Sequence, residues 1–129
     1  MPHIVIEYSA NLAEVVDIQD LVDGVHAAAL ADGLPALDAL RTRAAVRDHF
    51  RVADGRPEFA FVAVVARIGP GRSADDKRRF LGVLIEAVDG RLEPVADRCQ
   101  VALSAEIQEI DPELRINRNH VRTAMSERN

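Results

Sequence analysis

A strand–helix–strand pattern occurs twice in this chain, the second copy displaced from the first by 56 residues. HIVIEY (3–8) is rich in β-branched residues and predicts a strand. Asp17 offers an N-cap with Asp20 three residues on, and Ile18, Leu21, Val22, Val25, Ala28 and Ala29 follow at helical spacing. Gly33 is a natural stop, with Pro35 beyond it. LRTRAAVRDHF (40–50) returns as a strand, and VADGRPE (52–58) is a turn. The pattern then restarts. FAFVAVVARI (59–68) is a nearly unbroken apolar run, as in a strand covered on both faces. GPGRS (69–73) is a tight loop, and Ser73 with Asp76 opens a second helix whose stripe is Phe80, Leu81, Leu84, Ile85 and Val88. Gly90 and Pro94 predict a break or kink at its far end. QVALSAEIQEI (100–110) alternates, with Val101, Leu103, Ala105 and Ile107 on one face, and Asp111-Pro112 ends it. Residues 114–129 are polar and form either a wrapping arm or a frayed end.

First strands near 2 and 58 and helices near 18 and 74 make the chain a repeat of pattern, not of letters. A helical crossover inside each half implies parallel strands with right-handed connection. The expected fold is α+β: two fused β-α-β units, about 1–56 and 57–129, within a single domain. They form one four-stranded sheet with both helices on one face. The other face is left bare, and its apolar residues call for cover by oligomerisation.

Composition narrows the function. The 129 residues are 48% hydrophobic, enough for a core, and carry a formal charge of -5. That charge leaves no general basic surface for nucleic acid. The longest apolar runs are about ten residues, too short to span a bilayer. No signal peptide is visible behind Met1, and the single Cys99 has no internal partner; both predict a reducing cytoplasm.

Two places carry chemistry. The first is Pro2. With Met1 removed, its ring nitrogen is a free secondary amine at the start of a buried strand, placed to act as a general base. A generic α-amine titrates at about 7.7–8.0, and burial among Ile4, Val62 and similar neighbours, or nearby arginines, lowers the value by disfavouring the cation. Taken alone, proline after methionine is merely common. With Met1 retained, the nitrogen is a tertiary amide and has no basicity. The second place is Arg72. GPG forces a tight turn ahead of a helix amino terminus, where backbone amides favour an anion. An arginine there can clamp a carboxylate through two parallel hydrogen bonds; its partner is either a substrate or a structural glutamate. The offset sets Val16 against Arg72 and Glu58 against Pro2, so the second half lacks a site of this kind. His3, His26, His49 and His120 show no metal-ligand spacing, and no metal site is expected. Cys99 reads as a small core residue. Arg47 and Arg51 read as a solvated face, Glu106 and Glu109 as surface or interface acids, and Asn119 as a contact to a neighbouring chain.

MPHIVIEY at the start, LRTRA (40–44), ADG (53–55), FAFVAV (59–64), IGPGRS (68–73), ALSAEIQEIDPEL (102–114) and the tail around Asn119 together resemble the 5-carboxymethyl-2-hydroxymuconate isomerases of the tautomerase superfamily. The resemblance spans essentially the whole chain. It implies a homotrimer of fused β-α-β pairs, free of metal and organic cofactor, with the amino-terminal proline as catalytic base. It implies a small anionic dienol or 2-oxo acid as substrate, in the breakdown of homoprotocatechuate downstream of 4-hydroxyphenylacetate. It favours Arg41, two residues from Arg43 on one strand face, as a second carboxylate ligand, with Arg43 supporting it or facing solvent. Two readings compete: a tautomerase of another 2-oxo acid, of the 2-hydroxymuconate or phenylpyruvate type, and a non-catalytic trimeric binding module that keeps Met1.

Overall fold

The computed structural model describes residues 2–128; Met1, on whose removal the proline chemistry depends, lies outside them. The elements are β1 (His3–Ser9), α1 (Ile18–Asp32), β2 (Arg41–Arg47), β3 (Phe59–Ile68), α2 (Ala74–Leu92), β4 (Gln100–Glu109) and α3 (His120–Arg128). Short 3-10 turns occupy Ala10–Glu14, Glu93–Val95 and Pro112–Leu114. β1 and β3 begin 56 residues apart, as do α1 and α2.

The sheet order is β2-β1-β3-β4. β1 pairs with β2 and β3 with β4 in parallel, as helical crossovers require, while β1 and β3 are antiparallel. The two β-α-β units are therefore joined head to tail. That arrangement corrects one expectation: Val62 lies opposite Tyr8, at the far end of β1 from Pro2. The start of β1 meets the end of β3 instead, where His3 faces Arg67.

The core lies between the sheet and the helices. Ile4 and Ile6 from β1, and Ala60, Val62, Val64, Ala66 and Ile68 from β3, are buried against Leu21, Val25 and Ala29 of α1 and Phe80, Leu84 and Val88 of α2. Each fully buried large apolar side chain contributes about 1.5–3 kcal/mol. Val101, Leu103, Ala105 and Ile107 of β4 pack onto the same cluster. The opposite sheet face is mixed. Val5, Val65, Ala63 and Phe61 share it with His3, Glu7, Arg41, Arg43 and Arg67, because alternate residues of paired strands fall on one face.

Local signals account for the boundaries. Asp17 accepts from the amide of Asp20 at the head of α1, and Ser73 does the same for Asp76 at the head of α2. Gly33 ends α1 in the left-handed region, φ 87°, which glycine adopts without a Cβ penalty. The expected break at the far end of α2 falls at Pro94 and not at Gly90: the helix continues through Gly90 to Leu92, with Leu84, Val88 and Leu92 on its buried stripe, and gives way to the 3-10 turn that holds Pro94. Two expectations need correction. β2 stops at Arg47, short of Phe50. The tail forms α3, tied to its own chain, and Asn119 donates to the Asp38 carbonyl at 2.7 Å rather than reaching outward.

Candidate active site

Pro2 is buried, and it lines a cavity of about 220 Å³ together with Leu34, Pro35, Ala36, Ala39, Ile68, Gly69, Pro70, Arg72 and Arg122. Three segments meet there: the turn after α1, the loop after β3, and the start of α3. The head-to-tail sheet brings them together, because the end of β3 delivers its loop to the beginning of β1. The lining combines apolar side chains with two cations, Arg72 and Arg122, so the cavity can hold an anion beside the buried Pro2.

Arg72 reaches this cavity by local geometry. Gly71 has φ 105°, a conformation that side chains with a Cβ rarely adopt, and it turns the chain sharply into α2. Arg72 then stands directly before the Ser73 cap, and its Nη2 donates to the Leu34 carbonyl at 2.8 Å. Among the described residues no carboxylate forms an ion pair with it. The structural-glutamate alternative therefore has no such partner among the described residues.

The Leu34 turn is itself held. Asp32, whose side chain is 3% exposed, pairs with Arg79 of α2 at 2.9 Å and accepts from the Leu34 amide at 3.3 Å. The Arg79 hydrogen bond holds the Asp32 carboxyl below its ordinary value, outweighing the desolvation that pushes it up.

Arg41 and Arg43 lie elsewhere. Both project from β2 onto the open sheet face, where they flank His3: Arg41 Nη1 is 3.0 Å from His3 Nε2, and Arg43 Nη1 is 3.3 Å from His3 Nδ1. Arg41 touches Pro2 only through the backbone, donating its amide to the Pro2 carbonyl at 3.3 Å. Partial burial, followed by the fields of Arg41 and Arg43, lowers the His3 pKa from 6.5. Of the four candidates, the structure brings Pro2 and Arg72 together and sets Arg41 and Arg43 together on the other face. His26 is tied to Thr42 at 2.8 Å, and Cys99 is buried in the core cluster. Among the described residues no cluster of metal-ligating side chains is present, and no helix is long and apolar enough to cross a membrane.

Sequence reasoning missed Arg122 and Asp38. A signal for the first was legible: Asn119 caps α3 by accepting from the amide of Arg122, three residues on, at 3.0 Å. Nothing in the sequence marks Asp38 as its partner.

Larger hollows exist. One of about 470 Å³ is lined by Glu86, Asp89, Glu93 and Cys99, and its three carboxylates would repel an anion. Another, of about 350 Å³, is flanked by Phe50, Arg51, Arg56 and Phe59 at the opposite end of β3 from the Pro2 cavity.

Two β-α-β units fused head to tail, with helices on one face, are an architecture that recurs among solved structures. A fused 4-OT symmetric trimer at 17% identity shares this fold, with a TM-score of 0.63 over 90% of this chain and 93% of that one. The model of the family described as 5-carboxymethyl-2-hydroxymuconate isomerase matches residues 2–125, and the chain belongs to that family. It is 31% identical over 121 residues to the 5-carboxymethyl-2-hydroxymuconate Delta-isomerase of Escherichia coli, covering 94% of this chain and 96% of that protein. The crystal structure of a 5-carboxymethyl-2-hydroxymuconate isomerase from Deinococcus radiodurans R1 is similar at 27% identity, with a TM-score of 0.86, covering 96% and 93% of the two chains. The protein is an isomerase.

Proposed function

We propose that this chain isomerises 5-carboxymethyl-2-hydroxymuconate, with the Pro2 nitrogen, freed by removal of Met1, as general base. The observation that carries the reading is the shared cavity of Pro2 and Arg72, two residues supplied by opposite halves of the chain. The substrate is a conjugated dienol carrying three carboxylates, and its product is the 2-oxo-3-ene isomer. The reaction is an internal proton move: the hydroxyl proton leaves, the double bonds shift, and a proton arrives at carbon. Nothing is oxidised, and the chemistry asks for no metal or organic cofactor.

Each residue has a part. The amine needs a pKa near the working pH to accept and return a proton. Burial beside Leu34 and Ile68 and the nearby cations supply that by disfavouring the ammonium form. Arg72 takes one carboxylate through its guanidinium fork. Arg41, supported by Arg43, serves a Pro2 cavity of a neighbouring copy in a homotrimer. Two facts support this division. Arg41 is absent from the wall of its own chain's cavity, and at about 220 Å³ that cavity is smaller than the roughly 300–1,000 Å³ of an ordinary small-molecule site, as a site completed by a neighbour would be. Lone Cys99 is consistent with a reducing cytoplasm, where the breakdown of homoprotocatechuate derived from 4-hydroxyphenylacetate would take place.

The small volume also supports a second reading, a tautomerase of a smaller 2-oxo acid such as 2-hydroxymuconate or phenylpyruvate. An ultraviolet time course of conversion, on protein of known intact mass, separates the readings. Methionine-free protein is expected to convert the tricarboxylate rapidly, and Pro2→Ala to lose about 10²–10⁴-fold in kcat, the range for a positioned general base. Exclusive turnover of a smaller acid would transfer the role to that substrate. Mass showing Met1 retained, with no turnover, would instead leave a non-catalytic binding module.

A further inference from the structure

Arg122 stands on the wall of the Pro2 cavity, yet neither the family likeness nor the pattern of the repeat accounts for it. It comes from α3, outside both β-α-β units. Its guanidinium is held along one edge by Asp38, with Nε to Oδ2 at 3.0 Å and Nη2 to Oδ1 at 3.2 Å. Its backbone is held as well: the Asn119 side chain accepts from the Arg122 amide at 3.0 Å and donates to the Asp38 carbonyl at 2.7 Å. Cap and carboxylate thus fix one arginine from two sides. The side chain remains 49% exposed, and an exposed ion pair stabilises a fold very little. Fold stability is therefore a poor reason for so fixed a geometry.

The Asp38 contacts engage Nε and Nη2 and leave Nη1 available. A guanidinium offers five donors in a rigid fork, so one edge can be anchored while the other receives a second carboxylate. Asp38 also offsets the charge of Arg122, so the pair attracts anions weakly at a distance and acts chiefly through short-range hydrogen bonds.

We infer that Arg122 is a carboxylate ligand of the Pro2 cavity, with Asp38 and Asn119 as its positioning residues, and that it selects substrates carrying a third carboxylate. The inference rests on the isomerase reading above. There, Arg72 and a neighbour's Arg41 account for two carboxylates, and Arg122 is the remaining cation on the cavity wall.

The test measures kcat/KM for the tricarboxylate 5-carboxymethyl-2-hydroxymuconate and the dicarboxylate 2-hydroxymuconate. In Arg122→Gln the tricarboxylate-to-dicarboxylate ratio is expected to fall about tenfold or more, the size of one lost charge-assisted hydrogen bond, with the change carried by KM. Arg122→Lys should restore part of that ratio. Asp38→Asn should lower it in the same direction by less, because the arginine stays but loses its anchor. Thermal melts of the three variants check the fold. An unchanged ratio in Arg122→Gln, or a drop carried by kcat for both substrates alike, would overturn the inference while leaving the isomerase reading intact. Wild-type protein that converts neither substrate would overturn that reading, and the inference with it.

Discussion

The two halves of this chain fold alike and are equipped differently. β1 and β3, α1 and α2, and the caps Asp17 and Ser73 correspond at a constant offset. The candidate site positions do not. Pro2 corresponds to Glu58, and Arg72 to Val16. On the open face, His3 pairs with Arg41 where Phe59 pairs with Gln100, and Val5 pairs with Arg43 where Phe61 pairs with Ala102. The first half thus carries a cationic strand pair where the second carries an apolar and polar one. What the halves share is the apolar stripe that each helix lays on the sheet. One pattern therefore serves the common core of both units, while the residues at its edges differ between them. The Pro2 cavity is composite: the first half gives the proline, and the loop leaving β3 gives the arginine.

The largest expected effect tests what the halves share. Leu21 and Leu84 are both fully buried, one on each helix. Replacing either with alanine should cost about 2–5 kcal/mol. We propose that the two halves unfold together as one domain. Chemical denaturation should then show a single transition displaced in both variants, and two separated transitions would break the equivalence by making the halves independent.

A smaller effect tests what they do not share. Arg72→Ala should cost about 2 kcal/mol in kcat/KM, the scale of hydrogen bonds to a charged group. The reciprocal change, Val16→Arg, should add no activity, because Glu58 has no free amine beside it. Residual turnover by a Pro2→Ala, Val16→Arg double variant above that of Pro2→Ala would show a latent second site.

The smallest effect concerns His3, which has no counterpart in the second half. Its pKa lies below 6.5 in the folded protein because burial and then Arg41 and Arg43 disfavour its cation. Below pH 6.5 the unfolded chain takes up a proton that the folded chain resists. Folding stability should therefore decline as pH falls from about 6.5 through the folded pKa, and flatten below it. Arg43→Gln removes one of these cations and should move the His3 resonances to titrate at higher pH in an NMR titration. An unmoved titration would mean that Arg43 does not act on His3 in solution.

Much of the fold was legible because its signals are local. The caps Asp17 and Ser73, the stop at Gly33 and the stripe Phe80–Leu84–Val88 are set by spacing that a helix enforces at short range. The candidate site was legible in part for the same reason: GPGRS is a contiguous turn, and the placement of Arg72 before α2 follows from it. Gly90 misled because a single glycine costs a helix only about 1 kcal/mol, which the buried stripe on either side outweighs. Residues 114–129 looked like an arm or a frayed end because α3 has little apolar face of its own. It is held by Asn119 and Arg122 on Asp38, a contact between positions about eighty residues apart.

The sequence by itself determined two β-α-β units, their shared core, Pro2 and Arg72 as site candidates, and a likeness that comparison with known proteins extends to the family. Tertiary structure decided which side chains meet. The antiparallel joining of β1 to β3 put Pro2 beside Ile68 and Arg72, not beside Val62. The two-residue alternation of β2 sent Arg41 and Arg43 to the face opposite that cavity, and the docking of α3 brought Arg122 into it. The physical reason is range. Turns, caps and amphipathic stripes are fixed by neighbours within a few residues, whereas a site wall is fixed by strand direction, register and docking, which depend on pairing between distant segments.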